Sequence, residues 1–307
     1  MKMSGIIKTI KDPWHLVIAL SQRGLLDHLS DKTYLKLNYR ARLGRKLDLE
    51  NPQTFNEKMQ WLKLYNRKPI YTTMVDKYEV KKYVADIIGE RYIIPTLGVW
   101  DSFEDIDFDA LPDQFVLKTT HDSGGVVVCK NKNSLDKGKT EEKLKSSLNR
   151  NYYYHGREWP YKDVKPRIIA ERFMQDRDFE VLNVFKIFNF NGEPKIIQAI
   201  QGDKTKDESI DYFDTAWNKL VLRQNFKNSA KKLPKPETLD EMLELAKKLS
   251  KGHPFLRTDF YEVNGKVYFS EFTFFSDSGM AKFEPSEWDI TLGEWIKLPK
   301  QNQKEGT

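Results

Sequence analysis

The stretch Arg257 to Gly279, RTDFYEVNGKVYFSEFTFFSDSG, decides the fold. Its β-branched and aromatic residues on either side of Asn264-Gly265 read as two strands joined by a tight turn. Each strand carries one acid in otherwise apolar surroundings, Asp259 and Glu271. The turn decides whether these acids share a face, because side chains alternate with period two. A two-residue Asn-Gly loop pairs 259 with 270 and sets the acids on opposite faces. A three-residue loop, Val263-Asn264-Gly265 with Gly265 left-handed, pairs 257 with 271 and 259 with 269. Arg257, Asp259, Glu271 and Thr273 then lie together. Joint metal binding by the two acids therefore requires the odd-numbered loop. Two carboxylates that close need a cation, and Mg²⁺, which takes oxygen ligands and keeps phosphate oxygens, is the natural one. Taken alone, the stretch is equally compatible with an ordinary hairpin whose polar face meets solvent.

Working outward, 307 residues suffice for a substantial core spread over two or three structural units. Hydrophobic content of 39% and aromatic content of 13% are those of a folded chain and exclude a disordered one. The one cysteine, Cys129, sits in the apolar run Val126-Val127-Val128-Cys129, so no disulfide forms within the chain, which fits a reducing compartment. The apolar stretch Trp14 to Leu20 is too short to span a membrane and gives way to Ser21-Gln22-Arg23. We therefore expect a cytoplasmic protein without a transmembrane segment. The net charge of +6 favours anionic partners: nucleotides, acidic sugars, or a membrane surface by peripheral association. Its densest patch, Arg40, Arg42, Arg45 and Lys46, reads as a solvated helix face. Aromatics are not interleaved with it as a stacking platform requires, so nucleic acid is not an expected partner.

The pattern is that of an α+β chain. Residues 13 to 66 read as helical throughout, with Thr54 and Glu57 as a capping box. A second box, Thr73 with Asp76, opens a helix ending at Gly89, and a short strand Tyr92 to Pro95 follows. Strands are expected at 114–119, 126–130 and 167–171, with a helix over 140–149 between them. Residues 151–165, NYYYHGREWPYKDVK, read as an aromatic loop, either a sugar-stacking surface or local core. A hairpin of 179–190 and 195–201 turns at Asn191-Gly192. A third box, Thr238 with Glu241, starts a helix stopping near Gly252, and a last helix covers 286–298. Four units are expected: 1–66, an N-terminal helical region; 67–113, a central α/β unit; 114–174, with a phosphate loop; and 175–307, with the metal-binding hairpin.

Four pieces carry chemistry, in order. Asp76-Lys77 lies in the first turn of a helix. Lys118 ends an apolar strand directly before His121-Asp122-Ser123-Gly124-Gly125. A lysine followed by a small-residue loop offers a point charge and free N–H groups, which suits di- and triphosphates. The strand Ile168-Ile169-Ala170 ends in Glu171-Arg172-Phe173, with Asp178 beyond. Last come Arg257, Asp259, Glu271 and Thr273. A strand ending in an acid can hold adenine by its backbone and ribose by its carboxylate; any strand reaching the surface looks the same. His121 could reach a phosphate or cap the turn. The His121 to Gly125 sequence also looks like a trypsin-type serine loop, but the upstream histidines, His15 and His28, lie in a helical segment, which argues against that reading. The five histidines show no zinc spacing.

In this order the pieces resemble the ATP-grasp superfamily, whose last motif is usually E-x-N where this chain has Glu271-Phe272-Thr273. The segments 51–65, 74–84, 115–125, 157–174 and 257–263 are similar to the TupA-like ATP-grasp family, which is encoded among genes for teichuronopeptide, capsule and other surface polysaccharides. The resemblance covers roughly residues 35 to 295. It implies an ATP-grasp fold with an N-terminal helical extension and ATP-driven ligation of a carboxylate to an amine through an acyl phosphate. ATP and Mg²⁺ are the implied cofactors. The partners would be a carboxylate-bearing sugar or polysaccharide precursor and an amine donor. Lys77, Lys118, His121, Ser123, Gly124, Gly125, Glu171, Arg172, Phe173 and Asp178 would bind the nucleotide. Asp259, Glu271 and Thr273 would hold the metal, and Arg257 with Lys118 would be catalytic. The alternatives are a Mg²⁺-dependent glycosyltransferase in the same pathway and a non-catalytic polysaccharide-binding protein.

Overall fold

The computed structural model describes residues 13–202, 208–229 and 233–300. The outer ends of the first and last expected units, 1–12 and 301–307, lie outside the described residues. The helical start is broken into three: α1 (Pro13–Gln22), α2 (Asp31–Leu43) and α3 (Phe55–Tyr65). Ser30 caps α2, and Gly44, left-handed at φ 76°, ends it by donating its N–H to the Arg40 carbonyl. The box at Thr54 and Glu57 forms as expected. The second box does not. Instead α4 (Ile70–Val75) stops, and Asp76 turns its carboxylate to the N–H groups of Tyr78 and Glu79, capping α5 (Glu79–Ile88). Lys77 thus sits in the break between two helices and not in the first turn of one.

The expected strand at 92–95 is a 3₁₀ turn, Glu90–Tyr92, and β1 comes later at Thr96–Trp100. With β2 (Phe115–Thr119), β3 (Val126–Cys129) and β4 (Ile168–Arg172) it forms an antiparallel sheet of order β1-β4-β2-β3. The helix α6 (Lys137–Leu148) packs on β2, and Leu144, Phe115, Leu117, Ile168 and Ala170 make a separate small core.

The second sheet is also antiparallel: β7 (Ser209–Phe213), β6 (Glu193–Gln201), β5 (Val184–Phe190), β8 (Phe255–Val263) and β9 (Lys266–Thr273), in that order. β7 has no counterpart in the sequence reading. The helix α7 (Leu239–Ser250) packs against β8, β6 and β5. Its expected capping box is absent, because Thr238 bonds Glu262 and Glu241 bonds the Tyr92 hydroxyl. The helix α8 (Glu287–Trp295) packs on α3, near where Phe55 meets Phe255 and Phe283 edge to face at centroid distances of 5.1 and 5.8 Å.

The decisive hairpin differs from the expected one in its turn but not in its outcome. The loop has two residues: Val263 pairs with Lys266, and Asn264 and Gly265 are both left-handed, at φ 51° and 71°. That turn alone would put the acids on opposite faces. A β-bulge at Ser270 supplies the missing residue: Phe260 pairs with Phe269, but Asp259 pairs with Glu271 and Arg257 with Thr273. The expected pairs 257–271 and 259–269 do not form, yet all four residues share a face.

Candidate active site

That face belongs to a polar rung crossing every strand of the five-stranded sheet. Tyr212, Gln198, Lys186, Asp259 and Glu271 pair successively from β7 to β9. Asp259 is 1% exposed and takes both oxygens to Arg257, from Nε at 2.8 Å and Nη2 at 2.7 Å. Lys186 Nζ stands 3.9 Å from the same carboxylate. Burial pushes the Asp259 carboxyl up against the pull of Arg257, while Arg257 itself is held well above its ordinary value despite its burial, by Asp259. The two directions disagree, and the forked geometry, characteristic of an ionised pair, decides for ionised. Glu271 is different. Protein surrounds it, but 46% of its side-chain surface opens into a cleft. Burial raises its carboxyl; Arg257, Lys186, Lys77 and Lys118 together overcome this and lower it.

The cleft, with a volume of about 340 Å³, runs between the sheet and the N-terminal helices. Lys77, Ser123, Arg257, Glu271 and Thr273 line it. It adjoins a narrow cavity lined by Lys77, Lys81, Lys118 and Glu171, and the two share Lys77, Val80 and Ser270. In the narrow cavity Glu171, on β4, is clamped between Lys118 at 2.6 Å and Lys81 at 2.5 Å. Burial raises Glu171, but Lys118 and then Lys81 pull it below the ordinary carboxylate range. Burial also opposes the charge of Lys118, and Glu171 more than offsets it. Lys77 is lowered by burial, with Glu271 and Asp122 resisting. Lys77 and Lys118, far apart in sequence, thus meet at one cavity.

The loop after β2 is braced from behind. Its buried Asp122 accepts from the hydroxyls of Thr119 and Ser147 and from Arg150 at 3.0 Å, and its carbonyl accepts from Lys77 Nζ. At Gly125 a Cβ would come within 2.0 Å of Thr119 Oγ1 and 2.3 Å of Ser147 Oγ, so only glycine fits. Gly124 takes φ 104°. Neither glycine lines the cleft; they shape the backbone beside it.

Several expected residues lie elsewhere. His121 is buried and turned away, its Nε2 within 3.2 and 3.0 Å of the Ser147 and Arg150 carbonyls. Burial lowers its pKa, so it is a neutral brace for the end of α6. Arg172 and Phe173 line a groove on the far side of the small sheet, with Leu97, Pro112 and Lys130. Asp178 is exposed and lines none of these cavities; its neighbour Asp176 accepts the Asn264 N–H at the hairpin tip instead. Sequence reasoning missed Lys81, although its spacing of four from Lys77 was available, and Lys186, which only the five-strand register brings to Asp259. The aromatic loop 151–165, read as either a stacking surface or local core, lines the cleft with Tyr152, Glu158 and Tyr161. There Lys63, buried at 0% exposure, donates to the Gly156 and Ser278 carbonyls at 2.8 Å each, tying the loop 151–165 to the segment after β9.

The donor set can be weighed for a metal. Among the described residues no group of three or more His, Cys, Asp or Glu side chains could hold an ion. Two facing carboxylates and the Thr273 hydroxyl are what the hairpin offers, and Arg257 already supplies a cation between them. Mg²⁺ commonly takes one or two carboxylates and fills its shell with water and phosphate oxygens. The residues therefore fit a Mg²⁺ that arrives with a nucleotide, and not an all-protein cage.

Two antiparallel sheets beside a cleft, with lysines on one side and paired acids on the other, are the arrangement of the ATP-grasp fold. The family model described as TupA-like ATPgrasp matches residues 57–297, and the chain belongs to that family. No curated protein matches the sequence significantly. Among solved structures, the L-amino acid ligase of Bacillus licheniformis is 14% identical, with 98% of this chain and 66% of that one covered and a TM-score of 0.47. The D-alanine–D-alanine ligase of Bacillus anthracis, solved with ATP, is 17% identical over 66% of this chain and 53% of its own length, at 0.37. That from Helicobacter pylori is 17% identical over 79% and 69%, at 0.39. The chain thus spans little more than half of the Bacillus anthracis enzyme, and at these scores the likenesses carry no argument about activity. No helix among the described residues is long and apolar enough to cross a membrane.

Proposed function

We propose that the chain is an ATP-dependent carboxylate–amine ligase that forms an amide through an acyl phosphate. One observation carries the reading: Lys77 and Lys118 meet at a cavity that opens onto the face bearing Arg257, Asp259, Glu271 and Thr273. In this reading the lysines and the Ser123 backbone bind the phosphates, with Gly124 and Gly125 shaping the loop behind it, and Glu171 lies toward the base. Asp178 would have to swing in to reach the ribose. Asp259, Glu271 and Thr273 would hold Mg²⁺, which when bound neutralises phosphate charge and polarises the γ-phosphoryl group. A substrate carboxylate attacks the γ-phosphorus, and the β–γ bond breaks to release ADP. An amine then adds to the acyl phosphate, and phosphate leaves. Arg257 is placed to stabilise the tetrahedral oxyanion once its fork on Asp259 loosens. The family resemblance points to a sugar or polysaccharide precursor as the carboxylate partner, and the single buried cysteine fits a cytoplasmic setting.

The test is incubation with ATP, Mg²⁺ and pools of uronic-acid sugars and amino acids. The ligase reading expects ADP and phosphate released in step with amide. Release of UDP from a nucleotide sugar, without ADP, would replace it with a glycosyltransferase.

A further inference from the structure

One wall of the cleft is supplied by α2, which precedes the family-matched stretch 57–297 and takes no part in the narrow cavity of Lys118. Tyr34, Asn38 and Arg42 recur every fourth residue along α2, so they form one stripe, and all three line the cleft. Tyr34 is fully engaged, its hydroxyl on Ser21 and the Tyr154 carbonyl and its ring under Arg157. The other two have unused capacity. Asn38 is 1% exposed and donates its amide to the Tyr34 carbonyl, but its Oδ1 has no partner. A buried acceptor left unpaired carries a desolvation cost that a ligand donor would remove. Arg42 is exposed, and no carboxylate among the described residues pairs with it. Nearby charge is unbalanced as well: burial, then Arg42, Lys63 and Arg150, push His155 down. Two acids also line the cleft: Glu158, pulled down by Lys63 against a larger rise from burial, and the exposed Asp277, which accepts from Asn225 at 3.2 Å.

We propose that this wall binds the amine-donating substrate through a carboxylate of its own, held by Arg42, with Asn38 Oδ1 accepting from an N–H or O–H beside it. The inference rests on the ligase reading and gives that reading's second substrate a chemical class: an acid with an adjacent donor. An α-amino acid and an amino-sugar acid both supply it. One helical turn, about 6 Å, separates the two anchoring residues along α2. The first part of the chain would then set acceptor specificity, and the matched core would handle ATP.

The test is calorimetric titration of the full chain, with and without saturating Mg²⁺ and ADP, using L-alanine and 2-amino-2-deoxy-D-glucuronate, each against the amide lacking its carboxylate. At least one acid should bind the wild type about tenfold or more tightly than its amide, the range of one charge-assisted contact. Which acid does so separates the amino-acid from the sugar-acid source. Arg42→Gln, at an exposed position, should abolish that preference and Arg42→Lys should partly restore it, with ADP affinity unchanged in both. Equal binding of acid and amide, or a preference that survives in Arg42→Gln, would overturn the proposal. Failure of ADP to bind at all would instead defeat the ligase reading, and the nucleotide-free titrations would still judge Arg42.

Discussion

Glu171 has one buried carboxylate and two half-buried lysine partners, so its loss leaves Lys81 and Lys118 facing each other without that counter-charge. Glu171→Gln should destabilise the chain by about 3–5 kcal/mol, the range for breaking a buried pair from one side. The sign with pH follows from the lowered carboxyl: the stabilisation is present above the ordinary value of 4.5 and is lost as pH falls through the lower folded value. Chemical denaturation at several pH values should find the gap between wild type and Glu171→Gln widest near neutrality and narrowing in acid; a gap constant with pH would contradict the pairing. Lys77→Ala and Lys118→Ala should each weaken ATP binding about tenfold or more, as expected for a lost charge-assisted contact. Calorimetry reads this directly, and unchanged affinity in both variants would remove the phosphate assignment. These two lysines and the paired acids were legible as sequence because each follows a turn or strand signal. Lys186 was not, since nothing local says that β5 will lie against β8.

The hairpin shows why the turn was harder to read than the face. An Asn-Gly pair announces a two-residue turn, and Asn264 and Gly265 form one. The shift that aligns Asp259 with Glu271 comes from Ser270, an ordinary strand residue whose bulge leaves no compositional mark. The capping boxes make the same point. Thr54 and Glu57 close theirs because each side chain accepts from the other's free backbone N–H, whereas Asp76 is drawn onward to α5 and Arg167, and Thr238 to Glu262. Strong local patterns survive unless a distant partner competes for the same side chain. Replacing Gly265 with valine should cost about 1–3 kcal/mol, because a β-branched residue is strained at φ 71°. Gly125→Ala should act differently: the new methyl meets Thr119 and Ser147, so the loop must shift. Its ADP affinity should fall, and its melting temperature should fall with it, since overpacking a buried site costs about 1–3 kcal/mol. Wild-type ADP affinity in that variant would show that the loop does not bind phosphate.

Across the whole molecule, two antiparallel sheets and an N-terminal helical wall enclose one continuous cleft, and each contributes a different kind of group to it. The small sheet brings Lys118 and Glu171, the break between α4 and α5 brings Lys77, the large sheet brings the polar rung, and α2 brings Arg42. The fold class was readable because strand and helix signals recur along the sequence. The cleft's helical wall was not, because the 151–165 loop and α2 meet only through tertiary contacts such as the Tyr34 hydroxyl on the Tyr154 carbonyl at 3.2 Å. The central claim is that Asp259 and Glu271 serve ATP chemistry, beyond what Asp259 adds to the fold through its buried pair with Arg257. The most direct measurement is ADP release from Mg²⁺-ATP, in the presence of the uronic-acid and amino-acid pools, by wild type, Asp259→Asn and Glu271→Gln, each checked for folding by circular dichroism. We expect turnover in the wild type and only background in both folded variants. Full turnover in either neutralised variant would contradict the account.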